Sequence, residues 1–209
     1  MDKEYWENYY SAQEPSKQPS DFARFYTEKY KKEEHGHVFD IGCGNGRDTL
    51  FFSSQLIPCI GIEQCKIAIK NNEIRNTTLG LNASFHQKDF STCDYDSLAD
   101  GGYSIYSRFT LHAINYEEEN KLFLHLDNGR NLKYLFIEAR SIRDSLYGQG
   151  EEVGLHEFVT SHYRRFIDPL VLREKLKNNF EIEYFEEAQG FAKTSTEDPC
   201  LIRIIAKRR

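Results

Sequence analysis

The chain has 209 residues, of which 39% are hydrophobic, and carries 27 Lys and Arg against 33 Asp and Glu for a net charge of −6. That length suits a single domain with a sizeable core, and the acidic balance argues against a broad nucleic-acid footprint. No apolar run approaches the roughly 20 residues that cross a bilayer, and the charged, aromatic opening MDKEYWENYY lacks the apolar stretch of a signal peptide, so a cytoplasmic protein is expected.

Two helices are expected first. Trp6, Tyr9 and Tyr10 fall at amphipathic spacing, and Ser20-Asp21 can cap the second helix. Strand-like runs then alternate with helical ones. The strands are His37–Ile41, Cys59–Ile62, Ala83–Gln87, Tyr103–Ser107 and Leu132–Ala139, with helices near Asp48–Gln55, Cys65–Glu73 and Tyr116–Leu126 between them. Asn115 is a plausible N-cap for the last of these helices, and Glu117, Glu118 and Glu119 suit its positive end. A further helix opens at Asp168-Pro169, with Leu172, Leu176 and Phe180 as its buried stripe. Strands Glu181–Ala188 and Leu201–Ala206 follow, separated only by the turn-rich GFAKTSTEDP, and should pair as an antiparallel hairpin. Alternation of this kind predicts an α/β fold, a mostly parallel sheet with helices on both faces. Its ligands belong at the carboxyl ends of the strands, on the loops after Ile41, Ile62, Gln87, Ser107 and Ala139. The five cysteines are scattered and form no C-x-x-C pair, which supports neither a metal site nor a disulfide framework.

The segment VFDIGCGNGRDTLFF (Val38 to Phe52) joins a buried strand to a helix through Gly42, Gly44 and Gly46. Such a turn lets backbone N–H groups approach a ligand closely. A dinucleotide fingerprint would need a third glycine at position 47, which is Arg. Asp40 at the end of the first strand is awkward beside a pyrophosphate and useful beside a cation. Glu63 ends the second strand, where a carboxylate can accept from both hydroxyls of a ribose. Asp89-Phe90 ends the third and offers an acceptor and an aromatic face.

With these four elements in order, residues 37 to 115 resemble the cofactor half of class I S-adenosylmethionine-dependent methyltransferases. Asp40, Gly42, Gly44 and Gly46 match that family's first motif, Glu63 its ribose-binding acid and Asp89 its adenine-site acid, while YSRFTLHAI (Tyr106–Ile114) occupies its fourth-strand position. The resemblance implies a seven-stranded Rossmann-like sheet and S-adenosylmethionine as cofactor. Its expected contacts are Asp40, Gly42, Cys43, Gly44, Glu63, Gln64, Asp89, Phe90, Ser107 and Arg108. It also implies that residues 1–35 form a helical lid, with Tyr9 and Tyr10 over the substrate; a strap packed on the sheet is the alternative. The remaining divisions expected of a single domain are a cofactor half at 36–139, a substrate insertion at 140–166, and a helix and hairpin at 167–209.

The insertion concentrates cations and aromatics. Arg140, Arg143, Tyr147, His156, His162, Tyr163, Arg164 and Arg165 fall within it, and Arg suits bidentate capture of an oxyanion. Half of these arginines could instead pair with Glu138, Glu151, Glu152 or Glu157. The run SRFTLHAI, followed by EARSIRDSLYG and HYRRFID, also resembles small bacterial O-methyltransferases of polysaccharide, phosphoramidate or phosphonate biosynthesis. The expectation is therefore an O-methyltransferase of a small or glycan-linked anionic acceptor, using no metal and no nucleic acid. Arg140, Arg143, Tyr147, His156, His162, Tyr163 and Arg164 would bind that acceptor, and His112, His162, Arg140 and Arg143 are the catalytic candidates. A base-assisted methyltransferase of sugar hydroxyls and a non-catalytic cofactor-binding protein are the alternatives. His112 can equally be a packed structural residue.

Overall fold

A computed structural model describes residues 3–12, 16–30 and 32–209. Within the expected lid, residues 1, 2, 13–15 and 31 lie outside the described residues. Helices α1 (Lys3–Ala12), α2 (Asp21–Lys29) and α3 (Lys32–His35) precede a seven-stranded sheet. Its parallel part is β1 (His37–Ile41), β2 (Cys59–Glu63), β3 (Ser84–Gln87), β4 (Tyr103–Arg108) and β5 (Leu132–Arg140). Between these strands run α4 (Arg47–Ser54), α5 (Lys66–Thr78) and α6 (Tyr116–Asn128).

After β5 the chain forms a small antiparallel sheet of its own, β6 (Glu151–Gly154), β7 (Glu157–Val159) and β8 (Tyr163–Arg165). The sequence had suggested only a long loop there. Helix α7 (Pro169–Leu176) follows, and β9 (Phe180–Ala188) and β10 (Leu201–Arg208) close the large sheet as the expected antiparallel hairpin. The strand order is β3-β2-β1-β4-β5-β10-β9. Strand order therefore reverses between β1 and β4, and the crevice for a ligand opens at their carboxyl ends.

The central strands β1, β2, β4, β5 and β10 are buried on both faces, so successive residues feed opposite cores. Along β5, Leu135 and Ile137 join the cluster under α6 and α7, while Tyr134 and Phe136 join the one under α2 and α4. Side-chain caps fix the starts of α2, α6 and α7. Ser20 Oγ accepts from the Ala23 N–H at 3.0 Å, Asn115 and Glu118 form a reciprocal capping box, and Asp168 caps α7 with Pro169 at its first position. All five cysteines are free, four of them buried. Among the described residues no helix is long and apolar enough to cross a membrane, and no group of three or more His, Cys, Asp or Glu side chains could hold a metal.

Candidate functional site

The end of β1 makes the site. Gly42, Gly44 and Gly46 all take positive φ (67°, 52° and 67°), which L side chains rarely adopt. Gly42 also has no room to spare: an added Cβ would press on Thr110 at 3.2 Å. Thr110, from the loop after β4, donates its hydroxyl to the Ile41 carbonyl at 2.7 Å and so ties the two strand ends together. A cavity of about 480 Å³ opens above this turn. That volume suits a small-molecule or cofactor site.

Two carboxylates face it. Glu63, buried at the end of β2, accepts from the Gly44 N–H through Oε2 (3.1 Å) and from the N–H groups of Gln64 and Cys65 through Oε1 (2.7 and 2.9 Å). Burial raises its pKa, and these three donors oppose that shift. Asp40 accepts from the Thr49 hydroxyl at 2.6 Å. Its burial and the neighbouring Asp48 push its pKa up to about 8. Asp48 is fixed in turn by the Ser20 N–H and hydroxyl and by the Tyr106 hydroxyl (2.8, 2.6 and 2.9 Å).

Helix α1 covers the cavity with Trp6, Tyr9 and Tyr10. Tyr10 lies directly over the glycine turn, where a Cβ on Gly44 would overlap its hydroxyl, and burial raises its pKa. On the far side stand Arg108, Phe109, Thr110, His112 and Ala113, with Thr194 and Glu197 from the β9–β10 loop. Phe109 holds a left-handed backbone (φ 60°), a conformation uncommon for a bulky residue, and the Arg108 guanidinium lies over its ring at 4.1 Å. Arg108 also donates to Glu138 at 3.1 Å.

His112 is held neutral. Burial lowers its pKa well below the ordinary value, and Arg140, Arg164, Arg108 and His162 lower it further. Its Nδ1 is buried and has no hydrogen-bond partner among the described residues, as is also true of the Ser107 hydroxyl. His162 stacks on Tyr5 with ring centroids 5.0 Å apart, and burial together with Arg164 and Arg140 brings its pKa down to about 4.

Of the cofactor contacts named from sequence, Asp40, Gly42, Cys43, Gly44, Glu63, Phe90 and Arg108 line the cavity. The others do not. Asp89 is exposed and accepts from the Ser91 N–H and hydroxyl (2.8 and 2.7 Å), a local turn that competes with any role at the cavity. The Gln64 carbonyl accepts from Gln87, and Ser107 is buried in β4.

The insertion divides in the same way. Arg140 lies just behind the cavity wall, shared between Asp144 (3.0 Å) and Glu197 (2.7 Å). Arg143 is 74% exposed and pairs with Glu187 at 3.1 Å, away from the cavity. Tyr147 hydrogen-bonds His156 Nδ1 at 2.8 Å and packs on Phe158 and Phe166 within the small sheet. The Tyr163 hydroxyl donates to the Ile114 carbonyl at 3.4 Å. Arg165 is buried on Glu119 and on the Ile114 and Leu111 carbonyls. The arginine partners are thus Asp144, Glu187, Glu197 and Glu119, not the four glutamates nearest in sequence. Phe109, Thr194 and Glu197 are cavity residues that the sequence did not single out. Only the turn-rich character of GFAKTSTEDP pointed toward that loop.

This donor set fits S-adenosylmethionine. Two acids suit its cationic sulfonium and ammonium groups and its ribose hydroxyls, and the bare glycine turn admits its backbone-hugging approach. Comparison with known proteins agrees. Residues 32–128 match a family model described as a methyltransferase domain. No curated protein matches the chain in sequence. Among solved structures, the chain is similar to an S-adenosylmethionine-dependent methyltransferase from Methanosarcina mazei (TM-score 0.72, 21% identity, covering 88% of this chain and 96% of that one). It is also similar to one from Anabaena variabilis (TM-score 0.71, 22% identity, 99% and 93% covered). A third is the magnesium protoporphyrin IX methyltransferase from Synechocystis with S-adenosylmethionine bound (TM-score 0.62, 14% identity, 90% and 76% covered). Residues 32–128 thus match a methyltransferase domain, and the chain as a whole has the fold of S-adenosylmethionine-dependent methyltransferases.

Proposed function

We propose that the chain methylates an oxygen of a small or glycan-linked anionic acceptor, of the phosphonate, phosphate, phosphoramidate or carboxylate type met in surface-polysaccharide or phosphonate biosynthesis. The observation that supports this reading is the pair Arg108 and His112 on the cavity wall, backed by Arg140 behind it and by the charge of Arg164, both of which lower the His112 pKa. An oxyanion is the ligand that such a group of donors favours. When bound, S-adenosylmethionine supplies an electrophilic methyl group on a sulfonium. The acceptor oxygen forms the new O–C bond as the S–C bond breaks, and the electron pair passes to sulfur. The oxygen loses its negative charge in doing so, and no proton need move. The residues then have only to position the two reactants and exclude water. Arg108 and His112 would orient the oxyanion, while α1 closes the cavity through Trp6, Tyr9 and Tyr10.

The second reading, a base-assisted sugar-hydroxyl methyltransferase, draws on the unpartnered His112 Nδ1. Release of S-adenosylhomocysteine, measured across phosphonates, phosphate monoesters, carboxylates and neutral sugars, tests both. Turnover is expected with anionic acceptors, and His112→Asn should cost less than tenfold. Turnover of neutral sugars alone, with a hundredfold loss at His112→Asn, would replace the first reading by the second. Because the pKa of His112 is depressed, the rate in that case would rise with pH below 6.5.

Asp40 gives a pH signature for the cofactor itself. Near neutral pH its carboxyl is largely protonated, and a cation bound beside it favours the charged form. Ligand binding should therefore release a proton. Asp48, Glu63 and Arg108 also act on Asp40, and the ligand's own amine titrates, so the informative quantity is wild-type affinity relative to Asp40→Asn. That ratio should rise with pH, by up to about tenfold per unit, and level off above pH 8. A ratio that stays constant from pH 6 to 9 would mean that Asp40 does not face the cationic end of the ligand.

A further inference from the structure

The two partners of Arg140 are unlike each other. Asp144 is buried, and besides gripping Arg140 Nη1 it accepts from the N–H groups of Leu146 (2.9 Å) and Cys200 (3.0 Å). It is a permanent part of the wall. Glu197 is 44% exposed and reaches Arg140 Nη2 through one oxygen, Oε2, at 2.7 Å. It stands on the β9–β10 loop, in a turn held by its own residues: the Thr194 N–H donates to the Glu197 carbonyl at 2.8 Å, and the Glu197 N–H donates to Thr194 Oγ1 at 3.1 Å. The turn is anchored at the loop's base, where Asp198 accepts from the Gly190 N–H at 2.7 Å.

Position matters as much as exposure. Glu197 and Thr194 line the cavity, whereas Arg140 lies behind them. The carboxylate also acts on Arg164, whose charge and that of Arg140 oppose each other. Glu197 therefore sits at the cavity face as the exposed partner of Arg140, with the charge of Arg164, whose Nη1 donates to Thr160 Oγ1 at 2.8 Å, acting on it from nearby.

We propose that Glu197 is an internal stand-in for the acceptor's anionic group: the acceptor binds Arg140 and Arg164 by displacing this carboxylate, and the β9–β10 loop is the gate of the acceptor site. This deepens, and rests on, the anionic-acceptor reading above. An acceptor without a negative charge could not exchange with Glu197 and would meet a closed site. The gate thus selects for charge before any chemistry occurs. A monoanion that replaces the Glu197 carboxylate leaves the charge at Arg140 unchanged, whereas a dianionic phosphonate or phosphate adds one negative charge and should displace it more readily.

Inorganic phosphate is a suitable probe, titrated calorimetrically into protein saturated with S-adenosylhomocysteine so that only the acceptor end is sampled. Glu197→Gln keeps the shape of the side chain and removes the competing charge, and at a half-exposed site it should leave the melting temperature near that of the wild type. Phosphate should bind this variant about tenfold more tightly than wild type, and Arg164→Ala should abolish the gain. Equal or weaker phosphate binding by Glu197→Gln, with Arg164→Ala weakening both, would overturn the gate and leave the anionic acceptor site standing. Absence of phosphate binding in wild type and Glu197→Gln alike would overturn the gate and the anionic-acceptor reading together.

Discussion

Glu63→Gln should weaken S-adenosylmethionine binding by about 10- to 100-fold. An ionised carboxylate offers about four lone-pair sites, and the N–H groups of Gly44, Gln64 and Cys65 occupy three of them. One conventional position therefore remains, on the Oε2 side, for a ribose hydroxyl. A charge-assisted hydrogen bond there is worth about 1.5–3 kcal/mol, which sets the size of the loss. The sequence alone suggested two such bonds, one to each hydroxyl. The backbone donors that hold Glu63 in place reduce that number. Glu63→Gln also turns an amide NH₂ toward at least one backbone N–H, so the glycine turn should loosen as well. Calorimetric titration would measure the affinity, and hydrogen exchange at Gly44 the loosening. An unchanged affinity in a folded Glu63→Gln protein would remove Glu63 from the ribose site.

How much of this was legible in the sequence depended on the range of the interactions. The strand, glycine turn and helix around Val38 to Phe52 are local, and the caps at Ser20, Asn115 and Asp168 lie within three residues of the groups they bind. Those features could be named from sequence. The small sheet after β5 could not. Its first hairpin turns at Leu155-His156, with His156 in the left-handed region (φ 62°), and neither turn position is the Gly or Asn that usually announces such a turn. The partners of the arginines were hidden for a different reason. Arg140 finds Glu197 across 57 positions, and Arg165 finds Glu119 across 46. Pairing over such distances is decided by strand order and register, which no local pattern records. Asp89 shows the reverse case: a family motif points to a ligand, while a serine two residues on supplies a local partner that the motif does not record.

Glu138→Gln should destabilise the protein by about 3–5 kcal/mol, a fall in melting temperature of roughly 6–20 °C for a domain of this size. Register explains why. Arg108 on β4 and Arg203 on β10 are both direct cross-strand neighbours of Glu138 on β5, so three charged side chains stand in a row across the sheet. Glu138 is fully buried, accepting from Arg108 Nε at 3.1 Å and from Arg203 Nε at 2.7 Å. Arg203 is buried, and its guanidinium packs against the rings of Phe22, Phe25 and Phe191. Removing the carboxylate that both guanidiniums share leaves them facing each other without it, although Glu186 remains the cross-strand neighbour of Arg203. An amide can accept from one of them only, and its NH₂ opposes the other. Replacing all three with apolar residues of similar size should recover much of the loss, because no uncompensated charge then remains. That variant should fold and still bind S-adenosylmethionine, but methylate poorly. Arg108, one of the three residues replaced, no longer stands at the cavity wall to meet the acceptor. A thermal melt and a single-turnover assay separate the two effects. If Glu138→Gln melted within a degree or two of wild type, the row of charges would be hydrated and not the buried anchor of the methyl-transfer site.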